Sequence, residues 1–153
     1  MKAPSMSRRS ANALLAPISI LSFLLITIGC DVFARIEYQH LSVADAVDAT
    51  IRQPAANLFG LFLLSLPIVG AHLLTIEVGR AANRAVGAVV FAITIGLLAW
   101  IYFAGYSSYQ QSMAERRWTD ATLSLGLLPV KGGVVLFLPL LVAVMAAKQR
   151  KKQ

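Results

Sequence analysis

Charged residues are scarce in this chain. Of its 153 residues only 14% are Asp, Glu, Lys or Arg, while 58% are hydrophobic. The mean hydropathy is +0.70. A soluble core of this size cannot hide so much apolar surface from water. The composition therefore excludes an ordinary soluble domain and predicts that much of the protein surface faces lipid.

Residues and motifs that carry recognisable chemistry are also few. The single cysteine, Cys30, excludes an internal disulfide, and the two histidines, His40 and His72, fall in different parts of the chain. A metal or haem site would need more ligands close together. The chain contains no His-Glu-x-x-His sequence, no Gly-rich phosphate loop and no Ser elbow. We therefore expect no catalytic residues, no metal and no cofactor, and we interpret the protein as non-enzymatic.

What the chain has instead is long uncharged stretches. A hydrocarbon layer of about 30 Å needs roughly 20 helical residues to cross it. Three stretches of this length separate charged residues, namely Arg9 and Asp31, Arg52 and Glu77, and Arg84 and Glu115. A fourth stretch is interrupted by Lys131, whose ammonium can snorkel to the headgroups. We predict an all-α integral membrane protein, one membrane domain over 1–153, with four transmembrane helices at 11–30, 57–76, 85–106 and 127–147.

The distribution of the basic residues predicts the orientation. Short cytoplasmic loops carry an excess of Lys and Arg. With the N-terminus inside, nine of these residues lie in the cytoplasm and five outside, and the two sides have net charges of +8 and −1. We therefore expect a multi-pass protein of the bacterial inner (cytoplasmic) membrane with both termini cytoplasmic. No nucleic-acid partner is expected, because the basic residues do not cluster with aromatic ones on a soluble face.

The N-terminal region allows one alternative. Arg8 and Arg9, followed by an apolar run that ends at Cys30, resemble a bacterial lipoprotein signal in which Cys30 would carry lipid after cleavage. The apolar run is longer than the roughly 7–15 residues of a signal core, and Thr27 stands where such signals usually have Leu. We therefore favour a membrane helix that ends near Cys30.

The two predicted outer loops, 31–56 and 107–126, match each other in sequence. The matched segments are Tyr38-Gln39 with Tyr109-Gln110 and Asp48-Ala49-Thr50 with Asp120-Ala121-Thr122. A constant offset then pairs Gly60 with Gly132 and Pro67 with Pro139. The shared order predicts a tandem repeat, 13–76 and 85–147, and thus two tandem hairpins. Chance similarity in an Ala- and Leu-rich chain is the alternative.

Each outer loop also contains a helix-start pattern. The pattern is the capping box, in which a Ser oxygen accepts a hydrogen bond from a free backbone N–H. It occurs at Ser42 with Asp45 and at Ser112 with Glu115. After Ser42, apolar residues recur at helical spacing. The patterns predict a short amphipathic helix in each outer loop, lying on the outer leaflet or contacting a partner.

Two unusual features fall within the predicted spans. Pro67 and Pro139 each remove a backbone hydrogen bond and are predicted to kink their helices. His72, one turn from Glu77, is the only titratable side chain well inside an apolar span. An ionisable residue at such a depth is a functional candidate, although His72 lies close enough to the cytoplasmic end to find a structural hydrogen bond.

Small residues form a stripe on the third predicted span. Ala88, Ala92 and Gly96 recur every four residues, the spacing that allows another helix to approach closely. We interpret the stripe as a helix-packing interface, and we favour a neighbour from the same chain over one from a second protein.

These features favour a function without chemistry. We interpret the protein as a subunit, helper or immunity-type binding partner of a membrane assembly, whose partners are the lipid bilayer and another membrane protein or further copies of itself. The duplication and the paired prolines allow an alternative, a small oligomeric transporter or channel, although few polar groups line any span. A second alternative is an outer-leaflet enzyme acting on lipid or quinone.

Overall fold

The computed structural model describes residues 8–55 and 58–150. All regular secondary structure in these ranges is helical. The seven helices are α1 (Arg8–Gln39), α2 (Val43–Ala55), α3 (Leu58–Ala81), α4 (Arg84–Ala114), α5 (Trp118–Gly126), α6 (Leu128–Val135) and α7 (Phe137–Arg150).

Within the described ranges, three helical segments are long and apolar enough to cross a membrane. They are Phe59–Ala81, Ala85–Ala114 and Trp118–Gln149. These segments indicate a multi-pass membrane protein. The first predicted span, 11–30, lies within α1, and the side chains of its residues 11–16 and 19 fall outside the described part of the structure.

The two longest helices, α1 and α4, extend well beyond the predicted spans. They contain 32 and 31 residues, which at 1.5 Å per residue makes each more than about 45 Å long. Each is followed by a turn with a left-handed residue, His40 with φ 54° and Arg116 with φ 58°. Left-handed residues of this kind commonly close helices. The segments predicted as outer loops are consequently helical for most of their length.

The last membrane segment is made of α5, α6 and α7. Leu127 and Leu136 separate these helices, but both keep right-handed dihedral angles, so the segment stays helical throughout. The boundary at Leu136 lies three residues before Pro139, where a kink was predicted. By contrast, α3 continues through Pro67 without interruption.

Helix α4 occupies the centre of the bundle and contacts α1, α3, α5, α6 and α7. It runs in the same direction as α1, because Cys30 lies beside Ala99 and, further along both helices, Gln39 bonds to Gln110. Helix α3 runs in the opposite direction. The tightly packed core between them contains Ile26, Ala34, Leu64, Ile68, Ala71, Leu98, Tyr102, Tyr106 and Leu128.

Close approach between helices occurs at glycines outside the predicted small-residue stripe. A Cβ atom added to Gly87 would lie 2.9 Å from the Gly79 Cα, and one added to Gly132 would lie 2.9 Å from the Pro67 ring. The stripe itself is exposed at all three residues, and a Cβ atom added to Gly96 would meet nothing within 4 Å. The expectation that a helix of the same chain covers this stripe is therefore wrong. The chain's own helices pack on the face of α4 that carries Gly87, Val90, Thr94 and Leu98.

Replacing Gly87 with Ala should destabilise the bundle, because the added methyl group meets backbone of α3 that cannot move without shifting the helix. Overpacking of this kind costs about 1–3 kcal/mol. Gly96→Ala is the matched control on the same helix, since both substitutions gain the same helix propensity. Thermal unfolding in mild detergent should show Gly87→Ala to be the less stable variant by that amount. Equal stabilities would contradict the close contact between α3 and α4.

Candidate functional site

A buried polar cluster joins three helices at the end of the bundle that holds α2. Its members are Asp31 and Arg35 of α1, Thr50 of α2, and Gln110 of α4. Asp31 is 4% exposed and Arg35 is 8% exposed. The Arg35 Nε donates to Asp31 Oδ2 at 2.8 Å, and the Thr50 hydroxyl donates to the same oxygen at 2.8 Å. The Gln110 side-chain amide donates to Asp31 Oδ1.

The local sequence explains how these groups meet. Asp31 and Arg35 are four residues apart, so they lie on one face of α1. The turn at residues 40–42 sends α2 back against α1, where Ala46 packs without any exposure and Thr50 lies one turn further along. Gln39 extends the cluster by donating through its Nε2 to Gln110 Oε1 at 2.7 Å.

The cluster leaves little of the Asp31 carboxylate available for chemistry. One oxygen accepts two hydrogen bonds and the other accepts one. A buried carboxylate without such partners would carry a large desolvation penalty. The arrangement therefore neutralises the charge inside the chain and ties α1, α2 and α4 together. Sequence reasoning treated Asp31 and Arg35 only as outer-loop charges, and the signal it missed is their i,i+4 spacing directly after an apolar run.

A cavity of about 250 Å³ lies beside this cluster. Asp31, Thr27 and Thr50 supply polar atoms to its wall. The rest of the lining is mainly apolar and comes from α1, α2, α3 and α5, and from Tyr106 of α4. Sequence reasoning did not predict this cavity, because its walls come from five helices.

The two predicted capping boxes differ in the structure. Ser42 Oγ accepts the backbone N–H of Asp45 at 3.2 Å, and the Ser42 hydroxyl donates to the Asp45 carboxylate at 2.6 Å. Ser112 does not start a helix, so this part of the prediction is wrong. It lies buried in the last turn of α4, and Glu115 is the C-cap of that helix. Helix α4 continues past Ser112 because no helix-breaking residue intervenes, and α5 begins only at Trp118, with no side-chain cap.

The intramembrane pair, His72 and Glu77, is not brought together. His72 is 3% exposed, and its Nδ1 lies 2.9 Å from the Ile68 carbonyl oxygen. Its ring contacts the Phe91 ring edge-on, with 4.7 Å between the ring centroids. Its Nε2 has no hydrogen-bond partner among the described residues. Glu77 is exposed and forms an ion pair with Arg80. The hydrogen bond of His72 Nδ1 thus stays within α3.

Within residues 8–55 and 58–150, no group of three or more His, Cys, Asp or Glu residues could hold a metal ion. The chain matches no known protein family, curated protein or solved structure.

Asp31→Ala should be strongly destabilising, because it leaves the Arg35 guanidinium buried without its carboxylate. Breaking a buried ion pair costs about 3–5 kcal/mol. Asp48→Ala is the matched control, since Asp48 and Arg52 form an exposed i,i+4 pair at 2.9 Å, and such pairs contribute at most about 1 kcal/mol. Denaturant unfolding in detergent micelles measures both variants. A loss for Asp31→Ala no larger than that for Asp48→Ala would show that the cluster does not hold the helices.

Proposed function

We propose that this protein is a non-enzymatic subunit or helper of a bacterial inner-membrane assembly. In this proposal four helices cross the membrane, namely α1, α3, α4 and the α5–α7 segment. Both termini are cytoplasmic, so α2 and the α4–α5 turn face outward. The charge distribution of the sequence supports this orientation.

The directions of the helices support an arrangement of two tandem hairpins. Helices α1 and α4 run in the same direction. Helix α3 is likewise parallel to the α5–α7 segment, as contacts of Pro67 with Gly132 and of Gly70 with Leu136 indicate. The predicted repeat aligns Gln39 with Gln110, and these two side chains bond to each other across the bundle. Contact between equivalent residues is the arrangement expected near the axis of a duplicated fold.

The observation that carries the non-enzymatic function is that the Asp31 carboxylate and the Thr94 hydroxyl are bonded within the chain. Asp31 accepts hydrogen bonds from Arg35, Thr50 and Gln110. The Thr94 hydroxyl donates to the Val90 carbonyl of its own helix. A catalytic acid needs a proton position open to substrate, and a channel needs polar groups along its path. Internal bonding of this kind is typical of groups that fix helix positions.

The exposed stripe of α4 supports a packing role toward another protein. Ala88, Ala92 and Gly96 remain uncovered by the described helices of the chain, and small residues at this spacing permit close approach of a membrane helix. The occupant we propose is a helix of the larger assembly, with a second copy of this chain as the other outcome of the test below.

The proposed topology predicts where reporters will be found. A reporter fused after Gln153 should be cytoplasmic, while reporters inserted at Asp45 or Arg116 should be outside, because nine of the fourteen Lys and Arg residues lie on the inner side. Paired phosphatase and fluorescent-protein fusions measure this directly. Detection of residue 116 in the cytoplasm would eliminate the four-span arrangement.

Gly96→Leu should release the partner without destabilising the chain, because the new leucine side chain would project away from the bundle. Gly29→Leu on α1 is the matched control, since a Cβ atom there also meets nothing within 4 Å. Native mass measurement in mild detergent should show a stoichiometric larger protein bound to wild type and Gly29→Leu, and much less bound to Gly96→Leu. A symmetric homo-oligomer would instead favour the channel alternative. A monomer with no partner in all three samples would refute the subunit proposal.

A further inference from the structure

The cavity beside Asp31 has the composition of a binding site for a small amphiphile. Its volume is about 250 Å³, whereas an apolar cavity of roughly 150 Å³ is already large enough to bind benzene. Pockets that enclose whole drug-sized ligands are larger, roughly 300–1,000 Å³. The space therefore suits one apolar chain or ring, with the remainder of the molecule outside.

Tyr106 provides an unused hydrogen-bonding group in this wall. It is 7% exposed and lines the cavity. No hydrogen bond to its hydroxyl occurs among the described residues. The hydroxyl of Tyr102, one turn earlier on α4, donates by contrast to the Leu64 carbonyl. A hydroxyl that faces a largely apolar cavity gains a hydrogen bond when another molecule supplies the partner.

The charge of the site selects among amphiphiles. Asp31 is already neutralised by Arg35 at 2.8 Å, so the cavity offers no unpaired charge to a cationic or anionic ligand. A charged group would therefore lose its hydration without compensation. A neutral oxygen would lose much less and could accept the Tyr106 hydrogen, while a ligand hydroxyl could also donate to Asp31.

We propose that this cavity binds the apolar chain or ring of a neutral, lipid-like amphiphile whose hydroxyl or carbonyl oxygen is held by the Tyr106 hydroxyl. In the proposed topology the cavity lies near the outer membrane boundary, where the neutral oxygen-bearing groups of lipids and quinones are found. The position of the cavity relative to the membrane surface depends on the proposed topology. The chemistry by which the cavity binds a ligand does not depend on it.

Photolabelling can test the site in the intact chain. The protein is placed in lipid nanodiscs and labelled with 1-decanol that carries a diazirine on its chain, and the labelled residues are mapped by mass spectrometry. We expect saturable labelling of cavity-lining residues such as Phe23, Leu61 and Leu64. Labelling that does not saturate, or that maps only to exposed residues, would overturn the proposal.

Two pairs of variants make the test specific. Tyr106→Phe should raise the half-saturating probe concentration about three- to tenfold, the equivalent of one neutral hydrogen bond. Tyr102→Phe removes a hydroxyl whose bond lies within the chain, so it should leave that concentration unchanged. Ile28→Trp should fill the cavity and abolish the saturable labelling, whereas Leu25→Trp, at a position 66% exposed on the same helix, should not. Equal behaviour within both pairs would refute the assignment, and the second pair decides if Tyr102→Phe fails to fold.

Unlabelled competitors then distinguish the source of the ligand. Displacement of the probe by a diacylglycerol indicates a membrane lipid, and displacement by a short-chain benzoquinone indicates a quinone. Competition by neither, or competition by decanoate and decyltrimethylammonium as strong as that by 1-decanol, would overturn the proposal. This readout is independent of partner mass, so its failure is separable from failure of the proposed subunit function.

Discussion

The buried ion pair of Asp31 and Arg35 is the constraint on which one end of the bundle depends. Two charges removed from water are tolerated only when every strong donor and acceptor is engaged. Here the engagement requires α2 to lie against α1, so that Thr50 reaches the carboxylate, and requires α4 to present Gln110. The positions of three helices are consequently linked through a single side chain. The same placement leaves space between α1, α2 and α3, and the cavity occupies that space.

Elsewhere the bundle is held mainly by close packing, and single hydrogen bonds, such as that from the Tyr102 hydroxyl to the Leu64 carbonyl, add to it. Helices in lipid gain little from burying apolar surface, so they depend on close van der Waals packing. Gly87 allows α4 to approach α3, and Gly132 allows α6 to approach the Pro67 ring. The two ends of the bundle are therefore held by different interactions. Hydrogen bonds to a buried charge hold one end, and glycine-mediated contact between α3 and α4 holds the other.

Sequence reasoning could find the helices but not the site. Helical spans follow from the length of uncharged stretches, a local property. Helix α3 begins at Leu58 and α4 begins at Arg84, each one residue from the start of its predicted span. The C-terminal ends of α1 and α4 differ from the predicted ones because both helices continue for about two turns beyond the apolar region, where hydropathy gives no signal. Asp31 and Arg35 lie in this continuation of α1, so hydropathy alone placed them in a loop. A cavity lined from five helices is a property of tertiary packing, which one-dimensional periodicity does not contain.

The proposed duplication gives the ion pair a counterpart that is not ionic. The offset that aligns Gln39 with Gln110 also aligns Asp31 with Tyr102 and Arg35 with Tyr106. All four side chains are buried, and each pair lies one helical turn apart on one of the two parallel helices α1 and α4. Tyrosine buries a large apolar ring with a single polar atom, so its desolvation cost is far below that of a charge. One half of the bundle thus carries a charge pair that needs partners from three helices, while the other half carries two tyrosines. Tyr102 uses its hydroxyl within the chain, on Leu64, whereas the hydroxyl of Tyr106 remains available to the cavity beside Asp31. If the duplication holds, its two halves have thus diverged at these positions, into a polar cluster in one half and a hydroxyl facing the cavity in the other.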